Sequence, residues 1–331
     1  MMKNKFMIKQ LIGSIGVIAL VFLLAGGCTE DSEVESGEEN KPEVKFDLNP
    51  GELLITIGDE PFATYSFEDT KITRPFFANV NTPCGIQATR NFPPQPEDPQ
   101  DHDTMHPGIW LSFGDINGND YWRNKAKVEH EMFVEKPKGG PGKGTFSVRN
   151  YYMSPDGKDR VLAELVEYTI LVRPSGYLLI WDSTFSSDSN KITIGDQEEM
   201  GLGIRLNTAV NVEYGEGQIT NAEGMKDEEG TWGKASDWID YSGPVDDKYI
   251  GMAIMPSPDN FRSSWYHARN YGFVAANPFG RAAMEQGEKS EVTVSEGDEF
   301  ELGFGIFVYC TSTGEKLDVS DAYQDYLDLR K

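Results

Sequence analysis

The stretch VLAELVEYTILVRPSGYLLIWDSTF, residues 161–185, decides the fold. Residues 161–172 and 177–185 are rich in Val, Ile, Leu, Tyr and Trp, the types that fit a pleated, half-buried surface. Between them stands Arg173-Pro174-Ser175-Gly176. Proline presets φ for the first central position of a turn, and serine and glycine suit the rest. The two runs therefore read as a long antiparallel hairpin.

Outward from this hairpin the same signal continues both ways. On the N-terminal side, residues 53–57 (LLITI), 61–67 (PFATYSF), 74–80 (RPFFANV) and 144–153 read as strands, the last closed by Ser154-Pro155-Asp156-Gly157. Across 128–135, Val128, His130, Met132 and Val134 fall on one expected face, with Glu129, Glu131 and Glu135 on the other. On the C-terminal side, residues 191–195, 201–207, 217–222, 249–255, 272–276, 291–294 and 300–309 continue the pattern. Helical periodicity is clear only at the end, where Asp318 or Ser320 can cap a stripe of Ala322, Tyr323, Tyr326 and Leu327. Many strands with Gly and Pro between them, and one short C-terminal helix, predict an all-β class: a large antiparallel β-sandwich. No repeat or linker interrupts residues 45–331, so one domain is expected there.

The N-terminus reads differently. Lys3, Lys5 and Lys9 precede an apolar run at 11–24 that is short for a membrane span. Leu24-Ala25-Gly26-Gly27-Cys28 resembles a bacterial lipobox, which predicts a signal peptide over 1–27 and lipidation at Cys28. The alternative is an ordinary secretory signal cut after the glycines. Residues 28–44 are acidic and Ser-rich without an aromatic, as a disordered tether would be. The expected location is a membrane-anchored lipoprotein, periplasmic or on the cell surface of a Gram-negative bacterium. Cys84 and Cys310 are the other cysteines, and the sequence leaves open whether they pair or stay free.

The chain carries 30 Lys+Arg against 54 Asp+Glu, a formal charge of −24, which disfavours nucleic acid and anionic headgroups as partners. Membrane contact is expected only through the lipid anchor.

Four features carry chemistry. Residues 91–100, NFPPQPEDPQ, hold four prolines and deliver Asp101, His102 and His106 to the apolar run 108–113, which includes Trp110. The spacing of His102 and His106 would face both imidazoles one way on a helix, but Pro107 biases His106 to an extended conformation and opposes that metal motif. Residues 114–120, GDINGND, read as a Gly/Asn turn rather than a calcium loop, lacking the EF-hand glutamate. In 265–271, WYHARNY, an extended chain would project Trp265, His267, Arg269 and Tyr271 from one side, a set suited to a polyhydroxylated ligand. In 196–205, DQEEMGLGIR, an arginine-paired Glu199 would stay ionised and could act as a base. Asp237–Gly243 and Asn277–Gly280 read as tight corners, and His130 as a satisfied core histidine.

Together, DH…HPGIW…FGD-x-NG-x-DYWRNKA, GLGIRLNT, DYSG and W-x-HARNYG…AANPFG resemble an uncharacterised bacterial family labelled "methane oxygenase PmoA-like". The resemblance runs in order over residues 50–330. A membrane copper oxygenase subunit needs spanning helices, and no apolar run of that length follows Leu24, so the label itself does not fit. The resemblance implies a sandwich similar to galactose mutarotases, a carbohydrate ligand, and a site of histidines and a glutamate. Relatives carry an extra histidine and an arginine where this chain has Thr104, Met105 and Pro107. The expectation is proton transfer on a carbohydrate or sugar acid, of mutarotase, epimerase or lyase type and without a cofactor. His102, His106, His267 and Glu199 would be catalytic, and Arg90, Trp110, Arg205, Trp265, Arg269, Tyr271 and Asn277 would bind substrate. A glycan-binding lipoprotein without turnover, or a metal enzyme using the histidines, are the competing readings.

Overall fold

The computed structural model describes residues 41–187, 191–312 and 315–331. The signal peptide, Cys28 and most of the tether lie outside the described residues. The strands are β1 (Glu43–Asn49), β2 (Glu52–Ile57), β3 (Glu60–Ser66), β4 (Phe76–Ala78), β5 (Ile109–Phe113), β6 (Val128–Pro141), β7 (Lys143–Met153), β8 (Arg160–Arg173), β9 (Gly176–Ser186), β10 (Ile192–Ile194), β11 (Met200–Arg205), β12 (Gln218–Asn221), β13 (Ile239–Val245), β14 (Lys248–Pro256), β15 (Trp265–Arg269), β16 (Phe273–Asn277), β17 (Val292–Val294) and β18 (Glu299–Ser312). Two α-helices accompany them, α1 (Asp227–Thr231) and α2 (Val319–Asp328).

Sixteen strands form one sheet in the order β12-β13-β14-β18-β9-β8-β7-β6-β1-β2-β3-β4-β5-β11-β16-β15, and β10 pairs with β17 separately. The pairings are antiparallel. The expected hairpin is β8–β9, and Arg173 and Gly176 pair at its end, which leaves Pro174 and Ser175 as the turn. Tyr65 of β3 meets Tyr168 of β8 at 5.3 Å, and Phe77 of β4 meets Trp181 of β9 at 5.8 Å. Those strands are far apart in sheet order, so the sheet doubles over and its inner faces pack as a sandwich around one large apolar core. Helix α2, capped by Asp318, buries Val319 and Tyr326 on the outer face of β14, β18 and β9.

Three local expectations change. β1 begins at Glu43, ahead of the expected start, with Val44 fully buried. In β6, irregularities between His130 and Met132 and between Phe133 and Glu135 break the alternation. Phe133 turns inward while Met132 and Val134 are exposed. Most of the expected corner Asp237–Gly243 belongs to strand β13, in which buried Asp240 is held by Ser242, Tyr309 and Lys316. Cys84 and Cys310 form a disulfide that closes 226 residues.

Candidate functional site

The outer face of β4-β5-β11-β16-β15 carries a second, smaller apolar cluster, including Phe76, Trp110, Trp122, Phe273 and Ala275. Period-two alternation produces it: Ile109, Leu111, Leu202, Ile204, Val274, Tyr266 and Ala268 go to the main core, and their neighbours face the other way. Register aligns Trp110, Gly203, Ala275 and His267 in one row across four strands, and Arg205, Phe273 and Arg269 in the next. Gly203 is required there, since a Cβ would stand 2.6 Å from the Trp110 ring.

The 91–107 segment lies on this platform. One turn closes it, with His106 N–H donating to the His102 carbonyl at 2.9 Å. The turn brings the imidazoles face to face, 4.7 Å apart and 15° from parallel. Pro107 thus does not keep the two histidines apart, but it leaves them stacked. Among the described residues no group of three His, Cys, Asp or Glu side chains is placed to hold a metal ion. Two buried arginines pin the turn. Arg90 donates to the carbonyls of Pro99, Asp101, His102 and His106. Arg74 donates to those of Met105, Tyr121 and Trp122 and to Asn124, whose amide in turn holds the Thr104 carbonyl.

His102 keeps an accessible ring, with 38% of its side chain exposed. Its Nδ1 donates to Asp101 Oδ2 at 2.7 Å, and Arg205 Nη2 donates to Asp101 Oδ1 at 2.9 Å. Burial pushes the Asp101 carboxyl up, but the His102 bond and the Arg205 and Arg90 charges outweigh it and hold the pKa well below the carboxylate range. Arg205 lies beneath Tyr271, its guanidinium carbon 4.6 Å from the ring centre. His106 lies parallel to both Trp110 and Phe273, with ring centres 5.1 and 4.3 Å away, and is only 4% exposed. Burial, and then the Arg205 charge, push its pKa well down, so it stays neutral.

His267 stands edge-on to Phe273 at 4.9 Å, and burial, followed by the Arg269 charge, pushes its pKa down to about 3. The carboxylate beside it is Glu198, with Oε1 3.2 Å from His267 Nε2. Arg269 Nη2 at 2.6 Å and Trp232 Nε1 at 2.9 Å donate to that same oxygen. Arg269 also meets Glu228 of α1 at 3.2 Å.

The expected site residues therefore divide. His102, Tyr271, Arg269 and Trp265 retain reachable side chains around buried His267. Trp265, His267 and Arg269 do project from one side of β15, and Tyr271 joins the histidine stack from the turn that follows. Glu199 pairs with Arg123 rather than with Arg205, although its charge also acts on His267. His106, Trp110, Arg90 and Arg205 are too buried to meet a ligand and instead build the platform. Asn277 is a correction of the same kind: its carbonyl oxygen accepts from Phe279 and Gly280, its amide donates to the Gln197 and Glu198 carbonyls, and nothing remains for substrate. Glu198, Glu228 and Trp232 escaped the sequence reading. The paired glutamates at 198–199 were the available signal, but no strand period fixes which one faces β15.

A family model described as a family of unknown function, DUF6807, matches residues 52–320. The chain belongs to this family. No curated protein matches the DUF6807 chain. Among solved structures, it is similar to a galactose mutarotase-like protein from Lactobacillus casei at 10% identity and TM-score 0.36, covering 81% of this chain and 100% of that one. A second galactose mutarotase-like protein, from Clostridium acetobutylicum, matches at 10% identity and TM-score 0.35, covering 82% and 99%. An α-galactosidase from Geobacillus stearothermophilus, solved with stachyose, matches at 12% identity and TM-score 0.39, covering 75% of this chain and 39% of that one. The DUF6807 chain thus spans about two-fifths of the galactosidase it matches. The likeness concerns β architecture, and no activity is transferred by it. The methane-oxygenase label has no counterpart in the family match, and among the described residues no helix is long and apolar enough to cross a membrane.

Proposed function

We propose that the outer face around His102 and Glu198 acts on a carbohydrate or sugar acid by proton transfer. The observation that carries this reading is the Asp101–His102 pair: Nδ1 is taken by a carboxylate held ionised, while the ring remains accessible. A carboxylate that fixes one imidazole nitrogen orients the other toward a reacting group. Glu198 is the partner. Its two hydrogen-bond donors, Arg269 and Trp232, both meet Oε1, which also lies 3.2 Å from His267 Nε2, so Oε2 is the oxygen left for a substrate proton.

In a mutarotation, Glu198 Oε2 takes the proton of the anomeric hydroxyl while His102, acting as the imidazolium with its Nδ1–H still on Asp101, gives its Nε2 proton to the ring oxygen. The bond from the anomeric carbon to the ring oxygen breaks, and a carbonyl forms at that carbon. Closure on the opposite face returns both protons and gives the other anomer. Positioned acid–base groups contribute on the order of 10²–10⁴-fold to such steps. Tyr271 and Trp265 offer ring faces, and Arg269 offers donors to hydroxyls or a carboxylate. Epimerisation or elimination would use the same two groups. The resemblance to the PmoA-like family contributes the expectation of a sugar ligand, and its label contributes nothing.

Anomer exchange followed by magnetisation transfer across neutral sugars and uronic acids tests the reading. Loss of exchange in both His102→Gln and Glu198→Gln supports it. Binding by calorimetry with no exchange or product would favour the non-catalytic glycan-binding reading.

The chain is further proposed to be exported and lipid-anchored at Cys28. The lipobox-like residues support this, and the Cys84–Cys310 disulfide suits an oxidising compartment. Failure of Cys28→Ala to abolish radiolabelled fatty-acid incorporation would refute the anchor.

A further inference from the structure

Residues of the turn at 114–120 also line a hollow away from the histidine stack. An open hollow of about 810 Å³ is lined there by Asn117, Asn119, Lys158, Arg160 and Lys191, among others. It meets a smaller hollow of about 200 Å³ at Arg160 and Val161, whose wall includes Tyr151, Ser186 and Ser187. Three cations face the larger hollow against one carboxylate, Asp159. That inverts the balance of a chain with 30 basic and 54 acidic residues. The ion pairs these cations make are on the surface: Lys158 with Asp156 at 2.8 Å and Arg160 with Glu131 at 3.4 Å, with Lys158 and Arg160 themselves 77% and 58% exposed. Such pairs are worth little and exchange readily for a better-placed anion. Arg160 is already ordered, its guanidinium carbon 3.6 Å from the Tyr151 ring centre, which lowers the entropy lost on binding. Asn119 also lines the hollow, while Asn117 is held by the Thr193 N–H and the Lys191 carbonyl and braces the Lys191 backbone.

We propose that this hollow binds the carboxylate groups of an acidic oligosaccharide, at a site separate from the His102 face. Three cations in one open groove, one of them an arginine fork, match the carboxylates of such a ligand. At physiological salt the screening length is about 8 Å, so the charge of the whole chain does not repel a ligand held by these local cations.

Calorimetry with trigalacturonate, and with maltotriose as its uncharged counterpart, tests the site. Trigalacturonate is expected to bind more tightly, and less so as salt rises. The variant with Lys158→Ala, Arg160→Ala and Lys191→Ala together is expected to lose roughly tenfold or more in affinity, while Arg160→Lys alone retains most of it. All three side chains are exposed, so unchanged thermal unfolding is the control for folding. His102→Gln should leave this binding intact, which separates its failure from failure of the proton-transfer reading. Equal affinity for the two saccharides, or wild-type affinity in the triple variant, overturns the proposal.

Discussion

Glu198 Oε1 stands 3.2 Å from His267 Nε2, and the same oxygen collects donors from Arg269 and Trp232. This couples a buried, neutral imidazole to a partly exposed carboxylate. Glu198→Gln keeps the shape but replaces one oxygen by a donor facing Arg269. It is expected to lower sugar turnover by about 10²-fold or more with little change in KM. Glu199→Gln, which alters the Arg123 pair instead, should change turnover far less. Steady-state kinetics of the two variants checks the distinction.

The depressed pKa of His267 makes stability depend on acid. Its folded value of about 3 lies below its ordinary 6.5, so between them the unfolded chain binds more protons. Stability present above pH 6.5 is therefore lost as pH falls toward 3, and His106 acts in the same direction. Denaturant unfolding at pH 7 and pH 4.5 should show this loss, and His267→Gln should reduce it.

Glu164 works in the opposite sense. It is buried, and burial pushes its pKa up to about 7 despite bonds from Ser183 and Asn150. The folded chain then holds a proton that the unfolded chain releases above pH 4.5. Stability contributed by this group is present below 4.5 and declines as pH rises through 7, by an amount on the order of 3 kcal/mol. Glu164→Gln is expected to stabilise the protein at pH 8 and to have little effect at pH 4, as read by urea midpoints.

Arg90 is expected to be structural. Its donors satisfy four carbonyls of the histidine turn, so Arg90→Met orphans buried acceptors and should cost roughly 2–5 kcal/mol. Arg90→Lys cannot reproduce the fork and should recover only part. Thermal unfolding, with hydrogen exchange of the His106 amide, measures both effects.

The disulfide closes a long loop, so removing it should matter. Cys84→Ser with Cys310→Ser is expected to lose about 2–4 kcal/mol in unfolding free energy, and reduction of the wild type should lower its melting temperature similarly.

These residues also mark how far the sequence is legible. The β8–β9 hairpin reads correctly because long β-rich runs and a Pro-containing turn agree at every level. The outward row Trp265, His267 and Arg269 follows from period two alone. Strand β13 is missed because Asp240, Ser242 and Gly243 look like turn residues, and only the distant Tyr309 and Lys316 make a buried Asp240 tolerable. The β6 face is misjudged because irregularities at Met132 and Glu135 shift it, and no local residue announces them. Which of Glu198 and Glu199 faces β15 is not legible for a related reason: both precede β11 in irregular backbone, where side-chain direction is set by contacts with Arg123 and Arg269. Burial of His106, Trp110 and Arg205 depends on the loop folding down over the sheet, which spacing does not encode.

Anomer exchange on a panel of neutral sugars and uronic acids is the most direct measurement of the role assigned to the His102–Glu198 face. The expected result is catalysed exchange or another proton-transfer product for at least one sugar, abolished in both His102→Gln and Glu198→Gln while the folded structure is retained. Wild-type turnover in both variants would contradict it.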